Sequence, residues 1–251
     1  MVWISFYVVV DIFIKLIKQL TWNKFWVYGI LYNKNLVHED GTMKLNTKGL
    51  LIVISGPSGV GKGTVRKALF NRTGHNLDYS VSMTTRAPRE GEVNGVDYYF
   101  VSKEEFLNQI EKGNLLEYAE FVGNMYGTPK DKVEEKLALG HEVVLEIEVN
   151  GAMQVREKMK DAVFIFIAPP SYDALENRLV RRGTERNEVI KERLEKAHRE
   201  IGQAVNYDYI VINDEVDNAA DRIMAIIRAE HAKCSRTLDE YLKLMEETNN
   251  D

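Results

Sequence analysis

Lys62 stands directly after Gly61 in the run Gly56-Pro57-Ser58-Gly59-Val60-Gly61-Lys62-Gly63-Thr64. The apolar stretch Leu50 to Ile54 precedes this run, and a helix-compatible stretch, Val65 to Phe70, follows it. Strand, glycine-rich loop, lysine and helix in that order make a cradle for a polyphosphate. The glycines let the backbone turn its N–H groups inward around an anion. The helix start adds its positive end, and Lys62 adds a point charge suited to β and γ phosphates. The strict spacing puts Ser or Thr right after the lysine, where its hydroxyl holds Mg2+. Here Gly63 takes that place and Thr64 comes one residue later. The metal is therefore expected to rest mainly on nucleotide oxygens and water, with Thr64 as a helper.

Other groups able to handle phosphate or a base lie downstream. Arg86 and Arg89 flank the stiff pair Ala87-Pro88, so two guanidinium forks can be presented to one dianion. Tyr98 and Tyr126 carry hydroxyls on stiff side chains. A second basic run contains Arg178, Arg181, Arg182, Arg186, Arg193, Lys196 and Arg199, interleaved with glutamates such as Glu192, Glu195 and Glu200. Taken singly, each has a plain explanation: a solvated arginine pair, tyrosines that pack, a surface glutamate at Glu117, helix-face pairs at i,i+4. Only their joint order and spacing can carry more.

The elements that must position these groups read as alternating strands and helices. Short β-branched and aromatic runs occur at Val143 to Leu145, Val163 to Ile167 and Tyr209 to Ile212. Such runs suit parallel strands covered on both faces. Helical stretches are predicted over about 130–139, 172–181, 186–204 and 218–232, with a helical tail from Arg236. The pattern implies an α/β fold, a parallel sheet flanked by helices. Ligands in such sheets sit beyond the carboxyl ends of the strands, where the glycine-rich loop, Glu146, Glu148 and Asn213 all fall. Residues 80–128 break the alternation and read as an inserted subdomain, with a β-like piece at Asp97 to Val101.

The chain of 251 residues is 45% hydrophobic and 28% charged, enough for one compact domain with small insertions. A net charge of -5 argues against general nucleic-acid binding. The single cysteine, Cys234, excludes an intrachain disulfide and a cysteine-built zinc site, and a reducing cytoplasm is expected. Residues 1–42 differ from the rest: Val2 to Ile14 is apolar and aromatic, and Trp22, Phe25, Trp26 and Tyr28 follow. The apolar run is shorter than the ~20 residues of a spanning helix. It has no basic leader or small-residue cleavage site. An interfacial helix is one reading. The reading adopted is that 1–42 lies outside the native product, which then starts at Met43, and no membrane partner is expected.

The segments Ser80-Val81-Ser82-Met83-Thr84-Thr85-Arg86-Ala87-Pro88-Arg89 and Gly91-Glu92-Val93-Asn94-Gly95-Val96-Asp97-Tyr98 strongly resemble guanylate kinases. The resemblance continues through Leu116-Glu117-Tyr118-Ala119, Tyr126-Gly127-Thr128, Ile167 to Ser171 and Arg182-Gly183-Thr184, over about residues 49–232. It implies a P-loop kinase core with an inserted GMP-binding subdomain at 80–128 and a helical lid at 178–199. It implies ATP and GMP as substrates, Mg2+ as cofactor, and transfer of the γ-phosphoryl to give ADP and GDP. By the same resemblance Arg86, Arg89, Tyr98 and Tyr126 hold the GMP phosphate, while Ser82, Glu117 and Thr128 contact guanine. A carboxylate only accepts, so Glu117 suits the donors at guanine N1 and N2. Adenine has no donor at either place.

The resemblance further implies that residues 56–64 and Asn213 bind ATP, and that Lys62, Arg86, Arg178, Arg182 and Arg193 are catalytic around the moving phosphoryl. Gly183-Thr184 would be a hinge-like turn in the lid. The resemblance also puts Glu148 at GMP or at the Mg2+ water, but the sequence departs from the family at Glu148 and Asn150, where Asp and Gln are usual, so Glu148 keeps the acid with a different reach. Two other readings stay open: a non-catalytic phosphopeptide-binding relative, and a related sugar-phosphate kinase. The intact Lys62 loop opposes the first, and Ser82, Glu117 and Thr128 oppose the second.

Overall fold

The structure, a computed structural model, describes residues 48–181 and 187–249. The expectation for 1–42 and Met43 lies outside them, as do Arg182 and the Gly183-Thr184 turn. Two compact units divide the chain. Lys48–Leu238 is one, and the residues from Asp239 belong to the other.

The first strand, β1 (Leu51–Ser55), is buried along its whole length. It is the middle of a five-stranded parallel sheet with β2 (Leu77–Tyr79), β7 (Glu142–Glu146), β8 (Val163–Ala168) and β9 (Tyr209–Ile212), in the order β2-β7-β1-β8-β9. Alternate residues of β1 feed opposite faces, as the two-residue period of a strand requires. Ile52 and Ile54 pack with Val65, Leu69, Ala220 and Ile223 on one face. Leu51 and Val53 pack with Val133, Leu137, Val149 and Ala152 on the other. Those partners come from α1 (Lys62–Phe70) and α7 (Val216–His231) on the first face. On the second they come from α3 (Lys130–Ala138) and α4 (Val149–Lys158). Each such buried aliphatic side chain contributes about 1.5–3 kcal/mol, so the double cover is what keeps β1 and its loop in place.

The insertion is a second sheet of four strands, β3 (Met83–Thr84), β4 (Tyr99–Phe100), β5 (Leu115–Phe121) and β6 (Asn124–Pro129), in the order β4-β3-β6-β5. Within the piece expected at 97–101 the ladder to β3 covers only Tyr99–Phe100, with a single bridge from Tyr98 to Asn94. The Asp97 carboxylate instead accepts the Val93 N–H at 2.7 Å and closes a turn. Between β4 and β5, α2 (Lys103–Glu111) is capped by Ser102, whose hydroxyl accepts the Glu105 N–H at 3.1 Å. Phe106 of α2 is buried and packs against the β6 backbone at Gly127, where a Cβ would stand 3.1 Å from its ring.

Beyond β8 come α5 (Tyr172–Arg181) and α6 (Asn187–Gly202), followed by a 3-10 turn at Gln203–Asn206. Leu175 and Leu179 of α5 meet Ala197 of α6 in a small core of their own, with Ile190 and Leu194 at its margin. The last helix, α8 (Cys234–Asn249), is where the helical tail was expected. Among the described residues no helix is long and apolar enough to cross a membrane.

Candidate active site

The glycine-rich loop closes over the carboxyl end of β1 and opens α1. Gly59 has φ 85 and Gly61 φ 97, a region that side chains avoid. A Cβ on Gly59 would also meet Leu179 of α5 at 2.5 Å. The loop is therefore shaped both by its own glycines and by the helix behind it. Lys62 begins α1 and folds back across the loop, donating to the carbonyls of Gly56 at 2.6 Å and Pro57 at 3.2 Å. Burial pushes its ammonium down from the usual lysine range, and the carboxylates of Glu200, Glu146 and Glu148 oppose that shift. The ammonium is held at the loop, and among the described residues no carboxylate is hydrogen-bonded to it.

Three further elements brace the loop. Arg178 of α5 donates to the carbonyls of Val60 at 3.0 Å and Asn213 at 2.8 Å. Asn213, just past β9, donates to the same Val60 carbonyl at 2.8 Å. Its own Oδ1 is buried and has no hydrogen-bond partner among the described residues. That oxygen is an acceptor kept dry beside the loop. Glu200, in the last turn of α6, accepts the Ser58 N–H at 3.3 Å. It also lies 3.6 Å from Lys196, which pairs with Glu148 at 3.0 Å. Arg193 lies on the same helix.

Glu146 ends β7 beside β1, with Ile54 as its register partner. Its Oε2 accepts from Arg66 Nε at 2.6 Å, and the Arg66 guanidinium lies over the Tyr79 ring at 4.4 Å. Its Oε1 faces the loop, 3.4 Å from where a Cβ on Gly63 would stand. The place where the strict loop pattern puts a hydroxyl is thus bordered by a carboxylate. Thr64 lies exposed in the first turn of α1.

The small sheet gathers the other set. Arg86, just past β3, lies over the rings of Tyr98 at 5.4 Å and Phe100 at 5.7 Å. Tyr98 and Tyr126 meet edge to face at 6.1 Å, and Arg89 lies three residues beyond Arg86. Glu117 on β5 is 7% exposed. Its Oε1 accepts the Thr128 hydroxyl of β6 at 2.7 Å. Burial pushes its carboxyl up from the ordinary glutamate value, against the opposing Thr128 bond. Gly151 of α4 lets it approach, since a Cβ there would stand 2.8 Å from Oε2. Ser82 immediately precedes β3 in the same sheet. Glu148 immediately precedes α4, and its carboxylate accepts from Lys196 rather than from the helix N–H groups; its charge acts on both Lys62 and Glu117.

A guanylate kinase family model matches residues 48–230 of this chain. The chain belongs to the guanylate kinase family. It is 55% identical over 202 residues to a guanylate kinase of Listeria monocytogenes, covering 80% of this chain and 98% of the relative. It is 58% identical over 206 residues to one of onion yellows phytoplasma, covering 82% and 97%. A solved guanylate kinase of Anaplasma phagocytophilum is 39% identical, with a TM-score of 0.59 over 75% of this chain and 89% of its own.

Within this guanylate kinase chain, sequence reasoning passed over four contacts: Glu146 at Gly63, Glu200 on the loop, Gly151 under Glu117, and Glu92 on Arg86. Glu146 had a signal, its place at a strand end next to β1. The others join residues far apart in sequence, or sit in turns, and carry no spacing rule.

Proposed function

We infer that this protein transfers the γ-phosphoryl group of ATP to GMP, giving ADP and GDP. The observation that carries the reading is Glu117, a buried carboxylate beside Thr128, on a chain with an intact Lys62 loop. A base with donors at two adjacent edge positions satisfies that carboxylate, and guanine has them. The Thr128 hydroxyl can turn to guanine O6, with Ser82 near the same edge. Glu117 and Thr128 also disfavour a sugar-phosphate kinase, and the loop disfavours a binding-only relative.

Residues 56–64 cradle the ATP phosphates, with Asn213 beside them at the Val60 carbonyl. Arg86, Arg89, Tyr98 and Tyr126 hold the GMP phosphate. One of its oxygens forms the new bond to the γ phosphorus as the bond from that phosphorus to the ADP oxygen breaks. The attacking oxygen is already anionic, so no general base is required. Charge spread over the transferred oxygens is met by Lys62, Arg182 and Arg193, and catalysis is mainly placement and electrostatics. Arg178 acts through the loop it braces at Val60. Closure of the insertion 80–128 and the lid 178–199 excludes water.

The donor set fits Mg2+ held largely by nucleotide oxygens. Gly63 lacks a hydroxyl, Glu146 Oε1 borders that place, and Thr64 is one residue away. Among the described residues no group of three or more His, Cys, Asp or Glu gathers to hold a metal alone. When bound, the ion neutralises charge on the β and γ phosphates; Glu146, Glu148 and Thr64 would hold its water shell. The reaction recycles GMP in purine nucleotide metabolism, in the cytoplasm.

A coupled ADP-release assay with GMP, AMP, CMP and UMP tests the reading. Turnover with GMP alone is expected, and its loss in Lys62→Ala. No ADP release with GMP would overturn the function.

A further inference from the structure

Glu92 has no part in the function described so far, yet it is closely engaged with the acceptor arginines. Its Oε1 accepts from Arg86 Nη2 at 2.8 Å and its Oε2 from Arg86 Nη1 at 3.0 Å. The same Oε2 accepts the Arg89 backbone N–H at 2.7 Å. The Glu92 N–H in turn donates to the Arg89 carbonyl at 3.1 Å. Gly91, at φ 84, makes the turn that brings the carboxylate back. The side chains of Arg86 and Glu92 are only 16% and 20% exposed. An ordinary surface ion pair is a loose single contact of little worth. This one is bidentate and has a third donor from the backbone, so it fixes both the fork and the loop between the two arginines.

We propose that Glu92 positions Arg86 and selects the acceptor by charge, favouring GMP over the more highly charged GDP. The proposal rests on the assignment of Arg86 and Arg89 to the acceptor phosphate. A phosphate monoester carries about two negative charges near neutral pH, and a diphosphate carries one more. Arg86 and Arg89 alone would attract the diphosphate more strongly. A carboxylate within a few ångströms of the same fork repels each added charge, so it weakens GDP more than GMP. The product is thereby held less tightly than two arginines would hold it, which favours its release, while the fork stays preformed for the next GMP.

The test is calorimetric titration of GMP and GDP into the full chain, with ADP saturating and divalent metal chelated. The donor site is then filled and neither direction of transfer runs. Glu92→Gln keeps an oxygen to accept from Arg86 and Arg89 but removes the charge. It should tighten GDP relative to GMP by about two- to three-fold, the effect of one unit charge at ~6 Å in a largely aqueous, screened setting. Glu92→Asp keeps the charge with a shorter reach. It should weaken both ligands and leave their ratio as in the wild type. An unchanged ratio in Glu92→Gln, or the same ratio shift in both variants, overturns the proposal. Failure of the wild type to bind GMP in this titration would overturn the acceptor-site reading itself, and the proposal with it.

Discussion

Glu117→Gln is the substitution that most directly separates base reading from everything else the site does. The side chain keeps its shape in a pocket where Glu117 is 7% exposed and Thr128 donates to one oxygen at 2.7 Å. The exchange replaces an acceptor by an amide that donates. Opposite guanine, one or two charge-assisted hydrogen bonds are lost and a donor faces a donor. Hydrogen bonds to charged groups contribute about 1.5–3 kcal/mol each. Allowing for partial rearrangement, about 2–4 kcal/mol of discrimination should go, roughly 30- to 900-fold in kcat/KM for GMP. AMP has no donor to lose at these positions, so its kcat/KM should barely change. Stability should move the other way. Burial pushes the Glu117 carboxyl up from its usual value, so an ionised Glu117 destabilises the folded state at neutral pH. That cost appears as pH rises from the unfolded value of 4.5 through the raised folded one. The Gln variant should therefore unfold at a higher temperature at pH 7. Steady-state kinetics with both nucleotides and a thermal melt give the answer. A GMP-over-AMP preference that survives Glu117→Gln would refute the assignment of this carboxylate to guanine.

The same raised carboxyl predicts a pH dependence, because guanine requires the ionised form. GMP affinity should be full above the raised pKa and fall as pH drops through it, by up to about ten-fold per pH unit; KM for GMP against pH in the wild type and Glu117→Gln shows it, and the variant should lack that limb. Gly151→Ala puts a Cβ 2.8 Å from Glu117 Oε2, so the carboxylate must shift. KM for GMP should rise by roughly ten-fold, in line with the large effects of small misplacements, while KM for ATP stays put. Val122 sits at φ 48 before Gly123 at φ 70 in the β5–β6 turn, a pairing that suits Asn-Gly and strains a β-branched residue. Val122→Asn should stabilise the protein by about 1 kcal/mol in urea unfolding with activity unchanged.

Much of this was written in the chain. The buried strand β1 follows from Leu50 to Ile54 alone, since five apolar residues before a glycine-rich loop have few other uses. The helices at 172–181 and 216–231 follow from their apolar spacing. Arg86, Arg89, Tyr98, Glu117, Tyr126 and Thr128 were legible as a set, because local motifs fix residue types at short separations. The edges of small elements were less legible. β4 shortens to Tyr99–Phe100 because the chain before it turns back on itself, with the Asn94 side chain taking the Phe100 N–H and Asp97 taking that of Val93, and such local bonds leave no periodic trace.

Sequence alone thus determined that the chain grips a polyphosphate and carries the groups for a guanine monophosphate. The first follows from the spacing of the glycine-rich loop, the second from the resemblance of the downstream motifs to guanylate kinases. Tertiary structure decided how those groups are held. It turned Arg178 onto the Val60 carbonyl, brought Glu200 across 142 residues to Ser58, set Glu146 against the bare Gly63, and locked Glu92 into the Arg86 fork. Most of these contacts depend on which strand ends meet and which helix covers them, and the last on how a turn folds back. The contacts of Arg178, Glu200 and Glu146 arise from whole elements packing on the sheet and on one another, which no local stretch of sequence contains.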